Sequence, residues 1–149
     1  MRQIITIVIS ALLLAAATSC TLESSDNGKL DGFWHLEQVD TLNTGGTLDL
    51  SEELYFWAVD TKLLNVRHGG ERGYLLRFDQ TADSLVLHTP YKDNWHEDAE
   101  NGGDHPLDNA TELALYGINN MREPFHKDRL TGSRMVLRSK TLRLHFRKF

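Results

Sequence analysis

The residues best placed to do chemistry lie between positions 96 and 105. His96-Glu97-Asp98-Ala99-Glu100 comes within one residue of His-Glu-x-x-His, where two histidines on one helix face bind zinc and the glutamate acts as general base. Position 100 is Glu, so the second imidazole ligand is missing and that mechanism is excluded as written. The wider set His96, Glu97, Asp98, Glu100, Asp104 and His105 could hold a divalent ion. Its spacing matches no EF-hand loop, and a solvated acidic loop is the simpler reading. The sequence has no Gly-x-Ser-x-Gly elbow and no Gly-x-Gly-x-x-Gly after a strand. The glycine pairs at 45, 69 and 102 read as turns. His35, His68 and His145 sit among polar strand or turn positions and are expected at the surface. The expectation is a protein that is not an enzyme, with no metal site and no cofactor.

The single cysteine, Cys20, belongs to a different pattern. Met1-Arg2-Gln3 is followed by an apolar run from Ile4 to Ala17 and then by Thr18-Ser19. A basic start, a short apolar core and small residues before a cleavage point make a secretory signal peptide. The run is shorter than the roughly 20 residues of a spanning helix. The residues before Cys20, with Ala17 at the third position and Ser19 at the first, resemble the lipobox of bacterial lipoproteins. That resemblance implies cleavage before Cys20 and acylation of its sulfur, which accounts for an unpaired thiol in an exported chain. More than one acyl chain gives stable membrane attachment. Thr21 rather than Asp follows Cys20, so the inner-membrane retention signal of many Gram-negative lipoproteins is absent. The expected location is the outer membrane, facing either the periplasm or the outside.

Three segments follow: a signal peptide over 1–19, a flexible tether over 20–29 carrying lipidated Cys20, and a domain over 30–149. The tether is small, polar and unpatterned. The rest is one domain's length. A formal net charge of −5 argues against a nucleic-acid partner. Acidic residues gather at 92–112 and basic ones at 122–149, which reads as solvated faces.

The domain reads as short strands. Trp34, Leu36 and Gln38 alternate with His35 and Glu37, a strand with one wet face. Glu53–Asp60 is apolar and aromatic on both faces, so it is either covered on both sides or lines a cavity. Further strands are expected at Lys62–Arg67, around Tyr74, Leu76 and Phe78, and over Leu85–His88. From Thr89 to Asn109 the pattern fails, and a loop that long is usually functional. Glu112–Ile118 is ambiguous between a helical turn and a strand. Phe125–Leu130, Arg134–Arg138 and Thr141–Lys148 close the chain. In the last, Leu142, Leu144 and Phe146 face in, and Lys148 continues that face. Arg143, His145 and Arg147 face out, which is costly against lipid and argues against a membrane-spanning barrel. About eight short strands with hairpin-length links predict an all-β, eight-stranded antiparallel up-and-down barrel.

Gly32-Phe33-Trp34, opening the first strand, resembles the Gly-x-Trp signature of lipocalins. The closing stretch from Leu130-Thr131-Gly132-Ser133 to Leu144-His145-Phe146 is similar to the end of the small lipocalin-like domains of bacterial lipoproteins. The resemblance covers Gly32 to Phe149. It implies that Trp34 closes the barrel floor with an arginine of the last strand packed across it, Arg143 or Arg147. The helix that follows the last strand in larger lipocalins has no counterpart here, and Thr41–Glu52 is too short for the helix pair of fatty-acid-binding proteins.

The inferred strand aromatics point to an apolar pocket. Phe56, Trp57, Tyr74 and Phe78 are the candidate ligand-binding wall, with Pro90–Asn109 as a lid. The first expectation is a lipid-anchored, monomeric barrel binding a small apolar or amphipathic ligand. The alternative is a filled barrel that docks an envelope protein partner.

Overall fold

A computed structural model describes residues 25–94 and 103–149. Cys20 and residues 96–100 lie outside them. Ten strands form one antiparallel sheet: β1 (Gly32–Thr41), β2 (Thr47–Asp49), β3 (Tyr55–Asp60), β4 (Leu63–His68), β5 (Tyr74–Gln80), β6 (Ser84–Lys92), β7 (His105–Pro106), β8 (Glu123–Leu130), β9 (Arg134–Arg138) and β10 (Leu142–Lys148). Eight of them run in the order β1-β3-β4-β5-β6-β8-β9-β10, and β10 pairs back onto β1, closing the barrel. β2 adds to the end of β1 and β7 to the end of β6. Among the described residues closure leaves no long free edge, which is how an up-and-down barrel avoids edge-to-edge association.

The period-2 pattern explains the inside. Trp34, Leu36, Trp57, Val59, Leu64, Val66, Leu85, Leu87, Leu144 and Phe146 point inward and join one contiguous core. Three register shifts bend the sheet, in β1 between Leu36 and Gln38, between β5 and β6 at Leu75/Arg77, and in β8 between Lys127 and Arg129. Such bulges raise local twist and help a barrel close. The first one alters the inward face of β1. Gln38 hydrogen-bonds Asp40 at 2.7 Å, and Val39 packs on the core in its place.

The apparent failure of pattern at Thr89 is also a bulge. Thr89–Pro90 stand opposite Leu76, with Thr89 at φ 52°, and the chain then resumes pairing as Tyr91↔Leu75 and Lys92↔Tyr74. β6 therefore runs to Lys92, and His105–Pro106 folds back on it. The ends of the expected Pro90–Asn109 loop are a hairpin rather than irregular chain.

Each barrel end has its own plug. At the end where β1 begins, the 3-10 turn η1 (Gly28–Leu30) inserts Leu30, which is fully buried. At the other end, Thr111–Tyr116 forms a 3-10 helix, η2, resolving the helix-or-strand ambiguity. Leu113, Tyr116 and Ile118 of this segment are buried in the common core.

Candidate functional site

At the η1 end, the Trp34 indole N–H donates to Leu30 O at 2.8 Å, tying the floor to its plug. The cation over the Trp34 ring is Lys148, whose Nζ lies 4.8 Å from the centroid. Arg143 is elsewhere: its Nε donates to Asp128 on the outer face at 3.3 Å. Arg147 likewise points outward, to Glu37 at 2.6 Å. The barrel-closing pair is thus Trp34 with Lys148 in place of Trp34 with Arg143. Strand parity is the reason, because Lys148 shares the inward face of Leu144 and Phe146. Gly32 makes room for it: φ is +124°, and a Cβ there would sit 2.8 Å from Lys148 Cε.

The η2 end is where a ligand-binding barrel would open. Three tyrosines gather there. Tyr116 meets Tyr55 edge-on at 5.7 Å and Tyr74 at 6.0 Å. Tyr55 stacks on His68 at 4.5 Å. The Tyr74 hydroxyl donates to Glu112, and Lys92 stands 3.6 Å from the same carboxylate. Burial and that anionic acceptor push the Tyr74 phenol well above its ordinary range. The Tyr74 hydrogen bond, with Lys92 nearby, holds Glu112 below the usual carboxylate range. Below them the Trp57 indole N–H donates to Tyr116 O at 3.2 Å. Glu123, also buried, accepts from Asn119 N and Asn120 Nδ2, both at 2.9 Å, and pins the turn leaving η2.

The four expected wall residues separate. Trp57 is fully buried in the interior, and Tyr74 and Phe78 pack partly buried against the same core. Phe56 lies on the outer side of β3. Its ring stacks on Phe33 at 4.6 Å and meets Phe149 at 5.6 Å. β3 is therefore covered on both sides, one of the two readings its sequence allowed. Among the described residues the element over the barrel end is η2, and residues 95–102 of the expected Pro90–Asn109 lid lie outside them. His35, expected at the surface, is buried, with Nε2 2.7 Å from Glu53 O; the Phe33–Phe56 packing on the outer wall covers it.

The outer surface is divided by chemistry. Across β8, β9, β10 and β1, four arginines share two carboxylates. Arg147 and Arg134 hold Glu37 at 2.6 and 2.8 Å, and Arg138 and Arg143 hold Asp128 at 3.0 and 3.3 Å. His145 pairs with Asp40 at 2.7 Å. On the other flank, a groove of about 170 Å³ lies over the β5–β6 bulge, lined by Leu63, Leu75, Arg77, Thr89 and Tyr91. That is below the roughly 300 Å³ at which small-molecule pockets begin. Asp104 borders the groove, and its Oδ1 accepts from Asn94 N. Among the described residues no group of three metal-ligating side chains forms.

A closed, eight-stranded antiparallel barrel with a floor tryptophan and almost no helix defines the lipocalin-like class. The model of the lipocalin-like domain family matches residues 12–149, so the chain belongs to that family. Among solved structures, it is similar to a lipocalin-like protein from Bacteroides uniformis, with a TM-score of 0.60 and 15% identity over 82% of this chain and 100% of that one. It is also similar to an uncharacterized protein from Bacteroides eggerthii, with a TM-score of 0.58 and 18% identity over 80% and 98%. No curated protein matches the chain significantly. At these identities the likeness of the solved structures is one of fold.

Proposed function

We propose that this protein is a lipid-anchored envelope protein whose lipocalin-like barrel is a filled, rigid interaction module. One observation carries the second half of that reading. The space where a lipocalin would admit a ligand is taken by the chain's own η2, with Leu113 and Ile118 fully buried and the Trp57 N–H bonded to Tyr116 O. The anchor half rests on the lipobox-like residues ending at Cys20. A barrel of this kind works from its surface, through the shared-arginine face of β8–β10 or the η2 end, by docking another envelope protein. No catalytic step is part of this reading.

A small apolar or amphipathic ligand is the second reading. What favours it is the way η2 is held: it has no side-chain cap, and two of its side-chain ties to the barrel, Tyr74 and Lys92 on Glu112, are exposed. If η2 moved away, Trp57 and Tyr74 would line the vacated end. Native mass spectrometry of protein extracted from its own membrane, with titration of a fluorescent fatty acid, separates the two. The filled module shows no co-purifying small molecule and no saturable binding. Saturable one-to-one binding, lost in Trp57→Ala, would replace it with the ligand reading. For the anchor, labelled palmitate should enter the wild type and not Cys20→Ala; equal labelling, or none in either, removes lipidation from the proposal.

A further inference from the structure

The chain leaves the barrel at a defined place. Ser25 Oγ accepts from Thr61 N at 2.9 Å, and Asn27 Nδ2 donates to Thr61 O at 2.6 Å. Asp31 secures both residues, accepting from Ser25 Oγ at 2.6 Å and Asn27 Nδ2 at 2.7 Å. Thr61 is the first residue of the β3–β4 turn, with a left-handed φ of 52°. That is an uncommon conformation for a β-branched residue, so the staple to Ser25 and Asn27 also holds a strained turn in place. The turn lies at the opposite end of β3 from Leu54, and so at the opposite end of the barrel from η2.

Cys20 is five residues before Ser25. An extended chain gains at most about 3.6 Å per residue, so the Cys20 Cα lies within roughly 18 Å of the Ser25 Cα that is stapled to this turn. β6 has nine residues. At about 3.3 Å per residue and a tilt near 40°, the barrel is more than 20 Å tall. The tether starts from the turn end and falls short of the height along β6, so an acyl group on Cys20 favours the turn end over the η2 end at the bilayer.

That end and its flank offer apolar groups to a lipid surface. Phe149 is 74% exposed, with its ring set edge-on against Phe33 and Phe56, and its N–H bonded to Phe33 O. Leu63, 40% exposed, stands just past the turn on the outer side of β4. Exposed charges of both signs also lie at this end, among them Lys29, Lys62, Asp26, Asp60, Asp83 and, paired beside Leu63, Arg77. The four remaining large exposed apolar residues among those described, Leu42, Leu48, Leu54 and Leu115, ring the far end.

From these positions we infer that the acylated protein rests on the bilayer by its β1–β3–β4 flank, with Leu63 and Phe149 in the headgroup layer. The leucine rim around η2 then points away from the membrane, toward a protein partner. This rests on the acylation of Cys20.

Acylation consumes the only thiol, so a cysteine introduced elsewhere can be spin-labelled uniquely. Mature acylated protein in phosphatidylethanolamine–phosphatidylglycerol vesicles would carry one label at a time, at Leu63, Phe149, Lys62, Leu48 or Leu115. The expected result is a several-fold fall in collision with a water-soluble nickel complex, and a rise with oxygen, at Leu63, Lys62 and Phe149. Labels at Leu48 and Leu115 should stay water-accessible. Equal water access at all five positions, or shielding of Leu48 and Leu115 instead, overturns the orientation while leaving the anchor standing. Lys62→Cys alters only a solvated turn, so a fold defect in Phe149→Cys would not remove the test. Shielding of Leu63 and Phe149 that persists in vesicle-free Cys20→Ser protein means that protein, not lipid, covers the flank, and also overturns it. An intact mass without acyl chains removes the anchor and the orientation together.

Discussion

Lys148 Nζ sits 4.8 Å from the centre of the Trp34 ring and donates to Lys29 O at 3.3 Å. One ammonium thereby joins the floor tryptophan, the last strand and the η1 plug. Cation–π contacts contribute about 0.5–1 kcal/mol at partly exposed sites. Lys148→Met, which keeps an aliphatic stem, should lower urea-unfolding stability by about that amount. Lys148→Arg should keep most of it, and Arg143→Gln should leave the Trp34 indole N–H resonance unmoved. A shift of that resonance in Arg143→Gln, and none in Lys148→Met, would contradict the assignment.

Gly32 is the position that lets Lys148 reach the ring. Gly32→Ala adds a Cβ 2.8 Å from Lys148 Cε and forces an L-residue to φ +124°. A backbone conformation of this kind costs on the order of 1–3 kcal/mol. The midpoint of urea unfolding should fall accordingly. Gly28→Ala is the comparison, since φ is also positive there but open space surrounds the site. It should cost less than Gly32→Ala, the difference combining the displaced lysine with the less accessible φ of Gly32.

Gly117 has the same character at the other end. It closes η2 at φ 80°, and an added Cβ would stand 2.5 Å from Leu144 Cδ2. Leu144 is fully buried, so it cannot swing away. Strain and overpacking each cost about 1–3 kcal/mol, making Gly117→Ala one of the most damaging single changes at this end. Leu115→Ser, on the exposed side of η2, should change stability by less than about 0.5 kcal/mol. Thermal unfolding of the two variants checks both.

Tyr74→Phe tests how η2 is fastened. It removes the hydroxyl that donates to Glu112 and leaves the ring contact with Tyr116. A loss near 1 kcal/mol is expected, concentrated in local opening of η2. Amide exchange should quicken at Gly117 and Ile118, whose N–H groups bond Ala114 O and Leu113 O, and stay unchanged at Trp57. In wild type, Tyr74 should be among the last phenols to ionise in an alkaline titration.

The arginine face predicts an acid limb. Hydrogen bonds from Arg147 and Arg134 lower the Glu37 carboxyl below its ordinary value of 4.5, and Arg138 does the same for Asp128 below 3.8. A depressed folded-state value means that the unfolded chain takes up protons first. The stabilisation is present above the ordinary carboxylate range and is lost as pH falls through the lower folded values. Stability should therefore decline below about pH 4.5. Glu37→Gln with Asp128→Asn should flatten that limb, and also weaken its salt dependence, since these pairs are only partly shielded.

Some of the fold could be read directly from the residues. Arg134–Arg138 and Leu142–Lys148 alternate so regularly that strand and face follow at once, and Lys148 on the inward face was visible in that alternation. The Gly-x-Trp opening pointed to the family. Elsewhere the reading failed for identifiable reasons. Gln38 and Thr89 sit at bulges, where one extra residue reverses every later side chain, and alternation carries no mark of that. Phe56 looked like pocket wall because period 2 separates two faces without saying which is inside. His35 looked solvated because a histidine beside a glutamate reads as surface, while the Phe33–Phe56 stack that covers it comes from two strands. Glu123 gave no signal at all, since its partners Asn119 and Asn120 appear as ordinary turn residues.

The sequence by itself determined the all-β class, the eight barrel strands and the inward hydrophobic set of the last strand, because each depends on residues near one another along the chain. Tertiary structure decided that β10 pairs with β1, that Lys148 covers Trp34, that η2 fills the barrel end, and that the chain emerges at Thr61. Those depend on which distant strands become neighbours and on the volume left between them, quantities set only when the sheet closes.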